Sequence, residues 1–284
     1  LHPRVRRQRQ MCIRDRAKGS SYSLPGVRDA EGYTFMGWST KPMQSVSPQY
    51  EAEEKITVNG NVDLYAVVFN RTTETDLTED QLPQVDIYKY KQVIFVGDSR
   101  TEFMENVLTG MGESATKNVK FVCSAGKGLD WFTTTGWAQL YSIVQHDSNS
   151  ILSKKTAVIF NFGVNDLSKS ADYAEYYNWI APQLKSKGCE LYFMSVNPVN
   201  RLMLPNAGRA DRSEAAVRSF NQYMKANLSS AYTYIDMYSY LKSTGYSFAS
   251  DHYGTGTVDD GLHYTTRTYK RIFAKCMDSL RVPA

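Results

Sequence analysis

The chain has 284 residues, 42% of them hydrophobic and 22% charged, which is enough for one sizeable α/β core with something smaller beside it and typical of a soluble globular protein. No apolar run approaches the roughly 18 residues of a membrane span, which excludes a helical membrane protein. The formal net charge of +4 is deceptive: residues 1–18 carry seven cations against Asp15, so residues 19–284 hold a net −2, and a basic footprint for nucleic acid is excluded.

The head, LHPRVRRQRQMCIRDRAK, has no regular periodicity and lacks the apolar stretch of a signal peptide. Its piece MCIRDR resembles a translated sequencing-adapter remnant, so residues 1–18 are expected to be disordered and non-native. The chain opens on Leu1 rather than Met, and the native amino terminus is expected upstream. Cys12, Cys123, Cys189 and Cys276 show neither metal-ligand spacing nor a dense disulfide framework; the last three lie in apolar stretches as buried thiols do, with a single bridge left open. Twenty tyrosines and four tryptophans suit either a sugar-binding surface or ordinary packing, and packing is the simpler reading.

From about Gly19 to Asn70, short aromatic and β-branched runs at Tyr33 to Trp38, Ile56 to Val58 and Leu64 to Phe69 alternate with turns, which predicts a small β module. EGYTFMGWST at Glu31 to Thr40, Tyr50, and ITVNGNVDLYAVV at Ile56 to Val68 resemble the back half of the Listeria–Bacteroides repeat of bacterial surface proteins. Val68 and Phe69 stand where that family ends in Trp, and its front strands are expected to be absent or replaced by the arginine-rich head, leaving a truncated half. Residues 71–91, rich in Thr and acids and with Pro83, read as a linker.

From Gln92 onward apolar runs alternate with helical patterns. Val93–Val96, Lys120–Cys123, Thr156–Phe162, Glu190–Val196 and Tyr232–Ile235 are predicted strands. Tyr173, Tyr176, Tyr177, Ile180 and Leu184 mark a helix that Pro182 should kink or shorten before Gly188. Ala216, Val217, Phe220, Met224 and Leu228 mark another, and Tyr269, Ile272, Phe273, Cys276, Met277 and Leu280 the last. Five alternations of strand and helix predict a five-stranded parallel sheet in a three-layer α/β/α sandwich over residues 92–284, because parallel neighbours need crossover connections.

The first strand runs into Gly97-Asp98-Ser99-Arg100, placing Ser99 at a strand's carboxyl end and a helix's start. Taken alone, Ser99 reads more readily as a helix N-cap than as a nucleophile facing a ligand. A nucleophile needs a base and oxyanion donors. Strand two ends in Ser124-Ala125-Gly126-Lys127-Gly128 and strand three in Gly163-Val164-Asn165-Asp166, on the same sheet edge. Among the histidines, His2 lies in the head and His146 in a polar helix end, while His252 beside Asp251 in a glycine-rich loop stays open. His263 follows Asp260 by three residues just ahead of the last helix, where a turn brings the carboxylate to one ring nitrogen and leaves the other for Ser99. No GxSxG elbow and no phosphate-binding GxxxxGK[ST] loop occurs.

GDS at 97–99, the Gly126 region, GxND at 163–166 and DxxH at 260–263, in this order over five strands, resemble the SGNH family, the GDSL-type esterases and lipases, across residues 92–284. The resemblance implies Ser99 as nucleophile, His263 as general base and acid, and Asp260 as the carboxylate that orients it, with the N–H groups of Ser99 and Gly126 and the Asn165 amide as the oxyanion hole. Asp98 and Asp166 read as loop-holding residues. Arg100 stands where the family has Leu, and CSAGKG lacks the Asn that precedes the family's glycine, so Gly128 rivals Gly126. Arg100, a cation at a helix start, and Trp131 are candidates for substrate binding. Asp251, His252, Asp259, Asp260 and His263 form an alternative divalent-cation cluster that EDTA-resistant hydrolysis would dispose of, and residues 253–258 are a candidate lid.

The resemblances together imply a secreted or cell-surface serine esterase, needing no cofactor and no metal, that removes an O-acyl group, acetyl foremost, from a carbohydrate or cell-wall glycan. Its expected partners are that ester substrate and, through the repeat, the cell wall, with no nucleic acid. Two rivals stay open: an O-acyltransferase with the same triad, and a surface adhesion or glycan-binding protein with a degenerate hydrolase domain.

Overall fold

A computed structural model describes residues 11–12, 18–42, 46–86, 89–147, 155–250 and 259–280. Its contacts group the chain into two compact units, one made of residues 1–74, 198–215 and 239–262, the other of 75–197, 216–238 and 263–284. Residues 198–215 and 239–262 group with the segment that holds the repeat.

In the first unit, β1 (Met11–Cys12), β5 (Asp63–Asn70) and β3 (Tyr33–Ser39) form one antiparallel sheet, in the order β1-β5-β3, while β2 (Ser20–Ser23) pairs with β4 (Lys55–Val58). Leu24, Phe35, Trp38 and Leu64 make the core, and the Trp38 indole donates to the Pro25 carbonyl at 2.8 Å, which satisfies its one polar group. The expectation of missing front strands does not hold, since β2 pairs Ser20 with Val58 through to Ser23 with Lys55. Nor does the head lie wholly outside the fold, because Met11 and Cys12 pair with Leu64 and Asp63. Residues 71–86 contain two 3-10 turns, Arg71–Thr73 and Glu79–Gln81.

The second unit is built on β6 (Tyr90–Gly97), β7 (Val119–Cys123), β8 (Lys155–Asn161), β9 (Cys189–Met194) and β10 (Tyr232–Ile235), all parallel, in the spatial order β7-β6-β8-β9-β10. Between them run α1 (Ser99–Thr109), the short α2 (Glu113–Thr116), α3 (Leu129–Trp131) continuing through a π turn at Phe132–Gly136 into α4 (Trp137–Asp147), α5 (Ser170–Lys185) and α6 (Glu214–Asn227). The chain then forms α7 (Met237–Thr244), β11 (Phe248–Ser250), β12 (Asp259–Tyr264) and α8 (Thr266–Ser279). Val93 to Val96 are completely buried, as a strand covered on both faces must be. Alternation of side chains puts Phe95 on one face, where it meets Phe273 of α8, and Phe160 on the other, where it meets Tyr177 of α5. The result is the expected three-layer sandwich.

Two local expectations need correction. α5 passes through Pro182 and ends at Lys185, because Tyr177, Ile180, Ala181 and Leu184 bury its last turns whatever hydrogen bond the proline removes. The segment before the last helix is a strand, β12, rather than a turn.

Strand order sets where a ligand can sit. β6 has β7 on one side and β8 on the other, so the connections leaving their carboxyl ends diverge, which is the kind of switch point where open α/β sheets bind ligands. Gly97 of β6 is level with Cys123 of β7 and Asn161 of β8, and the loops that follow all emerge at this edge.

Candidate active site

Gly97 ends β6 where an added Cβ would run into the Thr101 side chain and the Asn161 carbonyl, so only glycine lets α1 start this close to the sheet. Asp98 caps α1: its Oδ1 accepts the Arg100 N–H at 3.0 Å. The capping role left open for Ser99 thus belongs to its neighbour. Ser99 is the first residue of α1, so its own N–H is among the donors a helix cannot satisfy internally.

The Ser99 hydroxyl lies 2.8 Å from His263 Nε2, with Ser99 6% and His263 2% exposed. For Ser99 to donate, the imidazole proton must sit on Nδ1. Phe103, one turn after Ser99, meets the His263 ring nearly edge-on with centroids 4.5 Å apart, which fixes the ring against tilting.

β12 carries both Asp260 and His263. In a regular strand, residues three apart point to opposite faces. Gly261 breaks that alternation with a φ of 68°, and a side chain there would also press within 2.5 Å of the Asn200 carbonyl. Asp260 is fully buried; its Oδ1 accepts the Leu262 N–H at 2.8 Å and its Oδ2 lies 3.4 Å from Arg209 Nη2.

After β7, Gly126 has a φ of 71° and open space where a side chain would be, whereas at Gly128 that space is filled by the Asp166 carboxylate. Asp166 holds this second loop by accepting the Leu129 N–H at 2.9 Å and the Tyr173 hydroxyl at 2.7 Å. Burial pushes the Tyr173 phenol far above its ordinary range, helped by Tyr177 and Asp166, so it remains a donor at any working pH. Asn165, half-buried, donates its side-chain amide to the Lys127 carbonyl at 2.8 Å and so ties the loop after β8 to the residue following Gly126.

Sequence reasoning missed three residues here. Glu102 accepts the Ala125 N–H at 2.6 Å, and Phe103 meets His263. Both stand on the helical face of Ser99, three and four residues on, and that spacing was the available signal. Gly261 was visible only as a glycine between the two residues of DxxH.

Arg100 is 2% exposed; its Nη1 donates to the Asn197 carbonyl at 2.9 Å and its guanidinium lies 5.2 Å from the centre of the Tyr264 ring. This backbone carbonyl and aromatic face, both inside the second unit, help offset its unfavourable place at a helix start. Trp131 is half-buried, 6.0 Å from the Phe162 ring and packed on Gly136. Cys123, beside this edge, has its thiol pushed far up by burial and by the neighbouring Glu105, which leaves it a poor nucleophile. Cys123, Cys189 and Cys276 are free thiols. Of the alternative cation cluster, Asp251 and His252 lie outside the described residues, as does the candidate lid at 253–258, while Asp259 pairs with Arg71 at 2.5 Å. His2 and the side chain of His146 also lie outside them.

Comparison with known families gives two matches. The model described as GDSL-like lipase/acylhydrolase matches residues 93–276, and that of the Listeria-Bacteroides repeat domain matches residues 14–67. The second match begins inside the head and includes β2. No curated protein matches the chain. Among solved structures, the chain is similar to a protein from Slackia heliotrinireducens described as an SGNH hydrolase, at 12% identity and a TM-score of 0.46 over 68% of this chain and 100% of that one. It is similar also to a member of the lipolytic G-D-S-L family from Veillonella parvula, at 18% identity and a TM-score of 0.39 over 66% and 97%. A third is the catalytic domain of the Streptococcus pneumoniae peptidoglycan O-acetyltransferase A, at 16% identity and a TM-score of 0.39 over 67% and 92%.

Proposed function

The chain belongs to the GDSL-like lipase/acylhydrolase family, and we propose that it is a serine esterase that removes a short O-acyl group, acetyl foremost, from a carbohydrate or cell-wall glycan. The observation that carries this reading is the buried 2.8 Å contact between Ser99 Oγ and His263 Nε2 at the carboxyl edge of a parallel sheet. Ser99 Oγ attacks the ester carbonyl as His263 takes its proton, and a bond forms between Oγ and the acyl carbon. The imidazolium then gives that proton to the departing alkoxide oxygen as the ester C–O bond breaks, leaving an acyl-serine and the free alcohol. Water, deprotonated by His263, attacks the acyl carbon, and the imidazolium returns that proton to Ser99 Oγ as the acyl–Oγ bond breaks, releasing the acid and restoring the serine. Asp260, three residues before His263 on the same strand, is the carboxylate that orients the imidazole and stabilises its charged form.

The oxyanion is received by the N–H of Ser99, the N–H of Gly126 and the side-chain amide of Asn165. Gly126 is favoured over Gly128 because its surroundings are open, while Asp166 occupies the space at Gly128. The near-complete enclosure of Ser99 and His263 favours a short acyl group over a long chain. The repeat supports action at a bacterial surface, and no described helix is long and apolar enough to cross a membrane.

Hydrolysis of a p-nitrophenyl ester chain-length series, beside acetylated xylan and O-acetylated peptidoglycan, tests the reading with Ser99→Ala as the blank. Activity greatest on acetyl and lost in the blank is expected. Equal rates for the two proteins on every substrate would contradict it.

A further inference from the structure

We propose that the β module is a positioning element of the esterase, acting through Arg71 on the strand that carries Asp260 and His263. This deepens the triad reading and rests on it. A surface repeat joined by a linker is ordinarily a tether, and a tether has no reason to hold the catalytic machinery. Here Arg71, at the end of the module, pairs with Asp259, and Asn200, tied to the module at Val27 and Asp29, holds Gly261 on the other side of Asp260.

Arg71 follows β5, and its guanidinium is divided between two carboxylates. Nη2 lies 2.7 Å from Asp29 Oδ2 and Nη1 2.5 Å from Asp259 Oδ2, while Nε donates to Thr34 Oγ1 at 2.9 Å. Asp29 is 1% exposed and also accepts the Phe35 N–H at 3.0 Å and the Asn200 side-chain amide at 2.9 Å. It therefore fixes one edge of the guanidinium to β3 and leaves the other edge for Asp259, a division of donors that the planar fork of arginine allows and the point charge of lysine does not. Asp259 is the first residue of β12, one before Asp260 and four before His263.

A second strap acts two residues further along. The Asn200 N–H donates to the Gly261 carbonyl at 2.9 Å, and its side-chain amide returns to the module at Asp29 and at the Val27 carbonyl, 3.1 Å away. Asp29 is thus the common anchor for the groups that grip Asp259 and Gly261. Asp260 lies between them, with Arg209 beside its carboxylate. Displacing a catalytic group by about 1 Å costs on the order of 10²-fold in rate, so loosening this grip is read in kcat rather than in substrate binding.

The test uses the full chain. The double variant Asp29→Asn/Arg71→Met removes the link to Asp259 without stranding a buried charge, and Arg71→Lys keeps the charge but not the fork. For the double variant, kcat on p-nitrophenyl acetate should fall about 10-fold or more with KM within roughly twofold of wild type. Arg71→Lys should recover part of the loss. Amide exchange across residues 259–264 should rise while β6 and β8 stay protected. Unchanged exchange in β12 overturns the proposal whatever kcat does, as does wild-type kcat, and so does a loss of protection that extends through β6 and β8. Should the wild-type protein itself hydrolyse no ester, the esterase reading fails separately, and raised exchange confined to β12 still supports the module's grip on that strand.

Discussion

Two roles that the sequence leaves to Ser99 separate at Asp98, which takes the cap and frees the serine hydroxyl to meet His263. Ser99, Asp260 and His263 were legible in the sequence because the chain has only four histidines and because four motifs occur in a fixed order over five strands. Gly261 was not, since its role lies in a backbone φ of 68° that no side-chain chemistry announces. Arg100 stood out by its charge; it is buried, with a backbone carbonyl and a tyrosine ring against its guanidinium. Asn165 serves two ends at once, holding the Lys127 carbonyl with one amide hydrogen while the second is the proposed oxyanion donor. Asn165→Ala should therefore lower kcat by about 10²–10³ and leave the Ser99–His263 pair intact. A fall in kcat of less than about threefold would remove Asn165 from the oxyanion hole.

The five parallel strands were readable from apolar runs because burial on both faces leaves no polar alternation to confuse them. β12 was hidden because a strand spelled DDGLHY has acids, glycine and histidine where β-formers are expected. The front strand β2 was hidden for a related reason, since SSYS carries little hydrophobic signal and is held through its pairing with β4. In the β module, Asp29 gives a pH dependence with a defined sign. Burial raises its carboxyl to about 6 from 3.8, against the Phe35 N–H, the Arg71 charge and the Asn200 amide, which lower it, and with Asp259 raising it further. The folded chain then binds this proton more tightly than the unfolded chain does. The contribution is most favourable below about pH 4 and is lost as pH rises to about 6, by up to about 3 kcal/mol. Urea unfolding of wild type and Asp29→Asn between pH 4 and 7 should show a difference that changes over this window and is flat above it. A constant difference would contradict the assignment.

The grouping of residues 1–74 with 198–215 and 239–262 had no sequence signature. Such a grouping depends on contacts between segments more than a hundred residues apart, whereas composition and periodicity report only on neighbours. Asp29 with Asn200 and Glu51 with Lys242 are examples, each a polar pair whose members look like ordinary surface residues in the chain. The whole chain nevertheless converges on one claim, that Ser99 is the nucleophile activated by His263. Labelling the chain with a fluorophosphonate, followed by intact mass and peptide mapping, tests it most directly, because an activated serine displaces the fluoride where an ordinary one does not. One adduct per chain is predicted, on the peptide containing Ser99, and none in His263→Ala. An adduct on another residue, or esterase activity that persists with Ser99 unlabelled, would contradict it.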